Sequence, residues 1–376
     1  WPAGEMAVMF ATDLAESHAL DSRVRALLDT VRVTVVPVVN PDGFTHSRGA
    51  FAETPGGAEA LVLGGRQAYW RKNRRSFTDG TVGDGLGLTE AAQNPQGTGL
   101  DAYGVDPNRN YGFTWGRPGS SSADVHSQSC RGDEPFSEPE SRNIAWLART
   151  RHVTGAISHH TYAGEIIWPW ANEMGEAPDA ALFATIAGEA GASNGYRARK
   201  YNTSEGTTPD HLYGATSTLA FLFEHGEAEF HPPYAGDIPQ RYADNRDAFL
   251  LLAERTAAEP THHGTITGRL LDANGQGVAG EIVTRRSYDT PLWLFGDGAA
   301  PRGRTAIEER FSARAQTEAD GSFTLRVNPS TQPHVIRAGG SQAWELALHA
   351  GDDAGATRRV VIGRGQTVNL GDITAS

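Results

Sequence analysis

Glu224 closes an apolar run, Ser217 to Glu224 (S-T-L-A-F-L-F-E), that reads as a strand. A carboxylate at the end of such a strand is desolvated, which raises its pKa and suits it to taking up and returning a proton. Glu227 and Glu229 are nearby rivals, and the strand register favours Glu224. His160 ends a second strand-like run, Val153 to His160, directly after His159. Successive strand residues point to opposite faces, so only one of the two imidazoles can face a common site. Arg71 and Arg109 supply fixed positive charge. Arginine suits carboxylate recognition because its planar fork makes two parallel charge-assisted hydrogen bonds. Each residue also has a bland reading: a buried structural histidine, an exposed strand-end carboxylate, a solvated charge run. For Lys72 and Arg75, in the run R-K-N-R-R, the solvated charge run is the reading adopted.

These residues need a scaffold. From Trp1 to about Glu259, helical and strand-like runs alternate, which reads as α/β. Glu5 to Leu28 is helix-like. Val31 to Val39 (V-R-V-T-V-V-P-V-V) is β-branched and nearly uninterrupted, as expected of a strand buried on both faces. Ser137 and Glu140 have capping-box spacing, so a helix is expected to start there and run to about Arg149. Pro239 to Ala257 reads as a long helix, with apolar residues at Phe249, Leu250 and Leu252. Near Pro260 the texture changes, and T-H-H-G forms a linker. Short β-like runs follow at Thr265–Leu271, Glu281–Arg285, Ser322–Val327, His334–Ala338 and Arg358–Ile362, a spacing that suggests a small sandwich. The expected fold class is thus α/β, a mixed and mostly parallel sheet flanked by helices over residues 1–259, followed by a small all-β sandwich over residues 264–376.

Composition narrows the function. A length of 376 residues suggests two or three domains, and 39% hydrophobic residues can build a substantial core. The net charge of −12 argues against a nucleic-acid partner. No apolar run approaches the roughly 20 residues of a membrane span. The single cysteine, Cys130, permits no internal disulfide, and no signal peptide is visible.

Five strings in order carry a resemblance: V-P-V-V-N-P-D-G-F, Y-W-R-K-N-R-R, G-V-D-P-N-R-N-Y, P-F-S-E-P-E and S-H-H-T-Y. Together they resemble the zinc metallocarboxypeptidases of the carboxypeptidase A/B type. The resemblance implies hydrolysis of the C-terminal peptide bond of peptides or proteins by a metal-activated water, with Zn2+ as cofactor; beside the composition, which argues against a nucleic-acid partner and a membrane span, a secreted or extracytoplasmic setting is expected. His160 is similar to the family's third zinc ligand and Glu224 to its general base. Arg71 corresponds to the oxyanion stabiliser, Asn108 and Arg109 to the pair that grips the terminal carboxylate, and Tyr201 to the tyrosine that closes over the substrate. The side-chain pocket would be set by Pro209 or Thr208; neither is acidic, so a neutral or broad preference is expected. Trp168 and Trp170 are candidates for its rim, with core packing as the alternative. Two insertions, Gly49–Gly65 and Phe77–Tyr103, would shape the entrance. The family carries a cis peptide in the H-T-Y equivalent, so a cis Thr161–Tyr162 bond is expected. The pattern G-x-L-x-D-A-N-G-Q-G-V-A-G with T-E-A-D-G-S-F-T-L resembles transthyretin-like domains, interrupted by Ser287–Ser312.

In the family a His-x-x-Glu zinc motif commonly runs straight into the Trp and helix matched here by Trp1. The first two zinc ligands and a second carboxylate-site arginine would therefore precede the chain, which is expected to lack its N-terminal part. The alternative is a metal-free pseudoenzyme that grips peptide C-termini through Arg109. A purely structural module suits the sandwich but not the clustered motifs before it.

Overall fold

The computed structural model describes residues 1–52, 70–77, 104–172, 175–201, 203–257, 262–288, 312–330, 342–350 and 353–374. The expected insertions at 49–65 and 77–103, the interruption at 287–312 and the run His334–Ala338 fall mostly or wholly outside these residues.

The elements in chain order are α1 (Pro2–Ser17), α2 (Ser22–Leu28), α3 (Pro41–Ala52), α4 (Pro139–Thr150), β1 (Gly155–His160), β2 (Glu165–Trp168), α5 (Ala180–Asn194), β3 (Arg197–Lys200), α6 (Thr208–Thr216), β4 (Leu219–Glu224) and α7 (Tyr234–Thr256). The strands form one mixed sheet of order β1-β4-β2-β3. β4 runs parallel to β1 and antiparallel to β2, and β2 runs parallel to β3. The apolar run before Glu224 makes sense in this place. Leu219, Phe221 and Phe223 pack with Phe10 of α1, Phe183 of α5 and Phe249 of α7. Ala220, on the other face, packs with Ala148 of α4 and Leu212 of α6. A strand covered on both faces has no polar side to show.

Three expectations change. Val31–Val39 is extended but has no ladder partner among the described residues, so it forms no strand. β1 is the matching edge of the sheet. Between the two segments lies a cavity of about 1120 Å3, lined by Val31–Val39 on one side and Gly155–His160 on the other. The helix expected at Ser137 starts at Pro139 instead, with proline in its first turn. Ser137 does not cap it; its hydroxyl bonds the Glu138 carboxylate at 2.6 Å. The last helix begins a turn earlier than Pro239, at Tyr234, and Asp237 bonds Arg241 one turn on at 2.6 Å.

The remaining strands are β5 (Gly264–Leu271), β6 (Glu281–Tyr288), β7 (Ser312–Gln316), β8 (Ser322–Val327), β9 (Gln342–Ala350), β10 (Asp353–Val360) and β11 (Thr367–Thr374). They form two sheets, β10-β9-β6-β7 and β11-β5-β8. Both sheets contribute to one apolar cluster, in which Ile282 and Val360 meet Ile266, Leu270, Phe323, Leu325, Val327 and Ile373.

Candidate active site

The site is built where β1 and β4 end. Their register places His160 opposite Glu224. Both side chains then leave the same face of the sheet, the face away from Phe223 and α7. His160, Glu224, Arg71, Asn108, Arg109 and Tyr201 all line the one cavity. His159 turns to the other face, and Glu227 and Glu229 are exposed.

The motif around Arg109 explains its own geometry. Asp106 caps a short 3-10 turn, Pro107–Arg109, by accepting from the Asn108 backbone N–H at 3.0 Å, with Pro107 at the first position. Asn108 Oδ1 accepts from the Thr208 N–H at 2.9 Å and the Thr208 hydroxyl at 3.1 Å. That consumes the amide oxygen and leaves Nδ2 near His160, 3.5 Å from its Nε2. Asn108 thus presents a donor to the cleft. Arg109 is 9% exposed; its Nη1 donates to the Asn108 carbonyl at 2.7 Å, and its buried Nε has no hydrogen-bond partner. Burial lowers its pKa, opposed by Asp106. Gly206 lets the α6 approach pass against this turn: at φ +63°, a Cβ there would meet the Arg109 carbonyl oxygen at 2.5 Å.

Arg71 reaches the site from the segment at 70–77 and pairs with Asp106, Nη2 to Oδ2 2.8 Å. The solvated reading of its neighbours is wrong. Lys72 is fully buried, with Nζ donating to the Val125 carbonyl at 2.7 Å. Arg75 is paired with Asp133 at 2.6 Å and Glu138 at 2.9 Å. Buried acceptors around 125–138, distant in sequence, recruit both cations. This anchoring fixes the segment that carries Arg71.

Glu224 has a buried Oε2 without a hydrogen-bond partner. Burial pushes its pKa up to about 7; Arg71 and Arg109 oppose this and the Glu165 carboxylate adds to it. Glu165 is itself held by Arg197 and by Arg199, the latter at 2.7 Å. Burial and then Arg71 lower His160 to about 4, so its ring is neutral and its Nε2, 3.0 Å from Ser158 Oγ, is a competent metal donor. Tyr201 packs against the Arg199 guanidinium at 5.0 Å. Trp168 lines the cavity, whereas Trp170 is core, stacked on Phe113 at 4.7 Å. The Thr161–Tyr162 bond is cis, as expected, and so is Pro169–Trp170.

Asp106 and Glu165 were not singled out from the sequence, and Thr208 only as a candidate for the side-chain pocket, not as the partner of Asn108. Asp106 had a signal, its place just before Pro107 in the same motif. Glu165 had none, and nothing local marked the Thr208 contact with Asn108, because both roles depend on groups far away in the chain. Among the described residues no cluster of three or more His, Cys, Asp or Glu is placed to hold a metal ion. His160 fits as one zinc donor, but the three protein ligands of a catalytic zinc are not completed by these residues. No helix among the described residues is long and apolar enough to cross a membrane.

A family model described as zinc carboxypeptidase matches residues 1–248. Carboxypeptidase A1 of Mus musculus is 27% identical over 180 residues, 48% of this chain and 34% of its own length. The zinc carboxypeptidase of Saccharothrix mutabilis subsp. capreolus is 25% identical over 234 residues, 58% of this chain and 46% of its own. The crystal structure of thrombin activatable fibrinolysis inhibitor shares the fold, with a TM-score of 0.54 at 20% identity over 68% of this chain and 59% of that one. The chain therefore spans about a third to a half of the length of these two curated relatives. Five motifs in order, a matching sheet and a model match over most of the first 259 residues agree: the chain belongs to the zinc carboxypeptidase family.

Proposed function

We propose that this chain carries the substrate-gripping and proton-transferring half of a metallocarboxypeptidase that removes residues from the C-termini of peptides or proteins. One observation carries the reading: two guanidiniums, an amide, an imidazole and a buried carboxylate, spread over more than 150 positions, converge on a single cavity. Arg109 and the Asn108 amide donor receive the terminal carboxylate. A buried guanidinium with spare donors needs an anion, and a carboxylate matches its fork. Arg71 exchanges its contact with Asp106 for the oxygen that turns negative as water adds to the carbonyl. Glu224, poised near neutrality, takes the proton from the attacking water and returns it to the departing amine. Tyr201 covers the bound terminus. A zinc held in part by His160 would polarise that water. Thr208 and Pro209 leave the side-chain pocket without an acid, which supports a neutral preference. Residues 1–259 form the catalytic unit and residues 264–376 a transthyretin-like sandwich braced against it. An extracytoplasmic setting belongs to the same proposal.

The test is direct. With Zn2+ supplied, the chain is given one peptide as the free acid and as the C-terminal amide, and products are weighed. Loss of a single terminal residue from the acid alone is expected. Equal cleavage of both, or internal cleavage, overturns the reading. A second reading rests on the incomplete donor set: a metal-free protein that binds peptide C-termini. Binding of the free-acid peptide with neither zinc uptake nor turnover would select it.

A further inference from the structure

Two imidazoles stand on the face of the sheet opposite His160 and Glu224, and one of them, His159, also borders the cavity. His159 precedes His160 on β1, and His225 follows Glu224 at the end of β4. His159 Nδ1 is 2.8 Å from His225 Nε2, and the rings stack with centroids 5.1 Å apart. His225 is wholly buried, flanked by Phe223, Phe249 and Tyr196, and its Nδ1 has no hydrogen-bond partner. Apolar side chains would fill this place more cheaply, because a buried polar group must find a partner or cost about 1–3 kcal/mol. What these rings gain is each other.

The register shows where that bond acts. His160 and Glu224 are the last paired residues of β1 and β4. One further main-chain bond, His225 N–H to the His160 carbonyl at 2.8 Å, closes the ladder. Beyond it Gly226 turns away at φ +81°. The two site residues therefore sit at the end of a ladder, where local opening costs least. The imidazole pair bridges the same two strands there, from the opposite face.

We propose that His159 and His225 are positioning residues: their hydrogen bond clamps the ends of β1 and β4 and so fixes the His160 imidazole against the Glu224 carboxylate. The clamp rests on the roles given to His160 and Glu224 above. One ring donates and the other accepts across this 2.8 Å contact, so the tautomers of the two rings are set together. His225→Leu keeps bulk and removes the bond; His225→Gln keeps an amide able to bond His159.

Two readouts decide it in the full 376-residue chain with Zn2+ supplied. In the first, His225→Leu is expected to lower kcat on a free-acid peptide by on the order of 10- to 100-fold, the cost of about 1 Å of misplacement, with KM unchanged. His225→Gln is expected to restore most of the rate. In the second, amide hydrogen exchange at Ser158–His160 and Phe223–His225 is expected to speed about tenfold in the leucine variant and recover in the glutamine one. Unchanged kcat, or a rate loss that glutamine does not rescue, overturns the clamp. A parent chain without turnover overturns the proposed function instead, and exchange alone then decides: unchanged exchange rejects the clamp. If His225→Leu does not fold, His159→Leu with His159→Asn as its rescue carries the same comparison.

Discussion

The two ends of β1 and β4 are about 20 Å apart, six residues at roughly 3.3 Å each, and they treat polar groups in opposite ways. At the finishing ends, Glu224 Oε2 and Arg109 Nε are buried and lack hydrogen-bond partners beside an open cavity. At the starting ends, side-chain and backbone donors are tied to distant acceptors. Asn328 Nδ2 donates to the Val153 carbonyl at 2.8 Å and to the Thr216 carbonyl at 2.9 Å. Its backbone N–H donates to His152 Nε2 at 3.1 Å, and Ser217 Oγ donates to the Pro329 carbonyl at 3.0 Å. Nearby, Arg364 holds Asp179 through two bonds of 2.8 and 2.7 Å. All of these bonds join the first region to the β-rich one. Buried polar groups are nearly always satisfied in folded proteins. Where they are satisfied by distant parts of the same chain, they serve assembly; where charged groups are left over around a cavity, a ligand is the missing partner.

The sharpest way to break this contrast is at the finishing end. Glu224→Gln is expected to reduce turnover by about 10²–10⁴-fold while leaving peptide affinity intact; steady-state kinetics beside calorimetry separate the two. Arg109→Ala should weaken binding of a free-acid peptide by about 2–5 kcal/mol, the usual cost of removing one side of a buried charge pair. Its amidated counterpart should bind the two proteins alike.

The starting end is read by stability instead. His263 is 1% exposed, and burial lowers its pKa to about 4 from the ordinary 6.5. The unfolded chain takes up this proton first as pH falls, so stability should hold above pH 6.5 and decline between 6.5 and 4. The full loss is about 3 kcal/mol at 1.36 kcal/mol per unit. Unfolding free energies from urea titrations of the parent and of His263→Phe at pH 7.5 and 4.5 should diverge by about 2.5 kcal/mol; parallel changes reject the assignment. The smallest effect belongs to Asn328→Ala, which should cost about 1–3 kcal/mol of stability. Peptide affinity should not move. A change in affinity would mean that the two ends are coupled.

Much of the site is legible in the sequence. Asp106-Pro107-Asn108-Arg109 is a turn written locally, with an N-cap and a proline at the first position. The run before Glu224 announced a buried strand because a strand covered twice is apolar throughout. The failures share a cause. Val31–Val39 has the composition of a strand, but a strand also requires a neighbour to bond. Lys72 and Arg75 look like a solvated run, and only acceptors some 50 to 65 positions later explain their burial. Trp170 was indistinguishable from Trp168 as a string; the Phe113 ring decides that it is core.

By itself, then, the sequence settled which chemical groups are present, in what order, and which short turns and strands carry them, because capping, proline geometry and apolar runs act over a few residues. Only the tertiary structure decided that His160 lies opposite Glu224, that Thr208 turns the Asn108 amide nitrogen toward the cleft, and that Arg71, Arg109 and Glu165 act on the Glu224 carboxyl. Those outcomes depend on desolvation and on partners brought in from a hundred residues away. Such long-range effects leave no mark in the letters on either side.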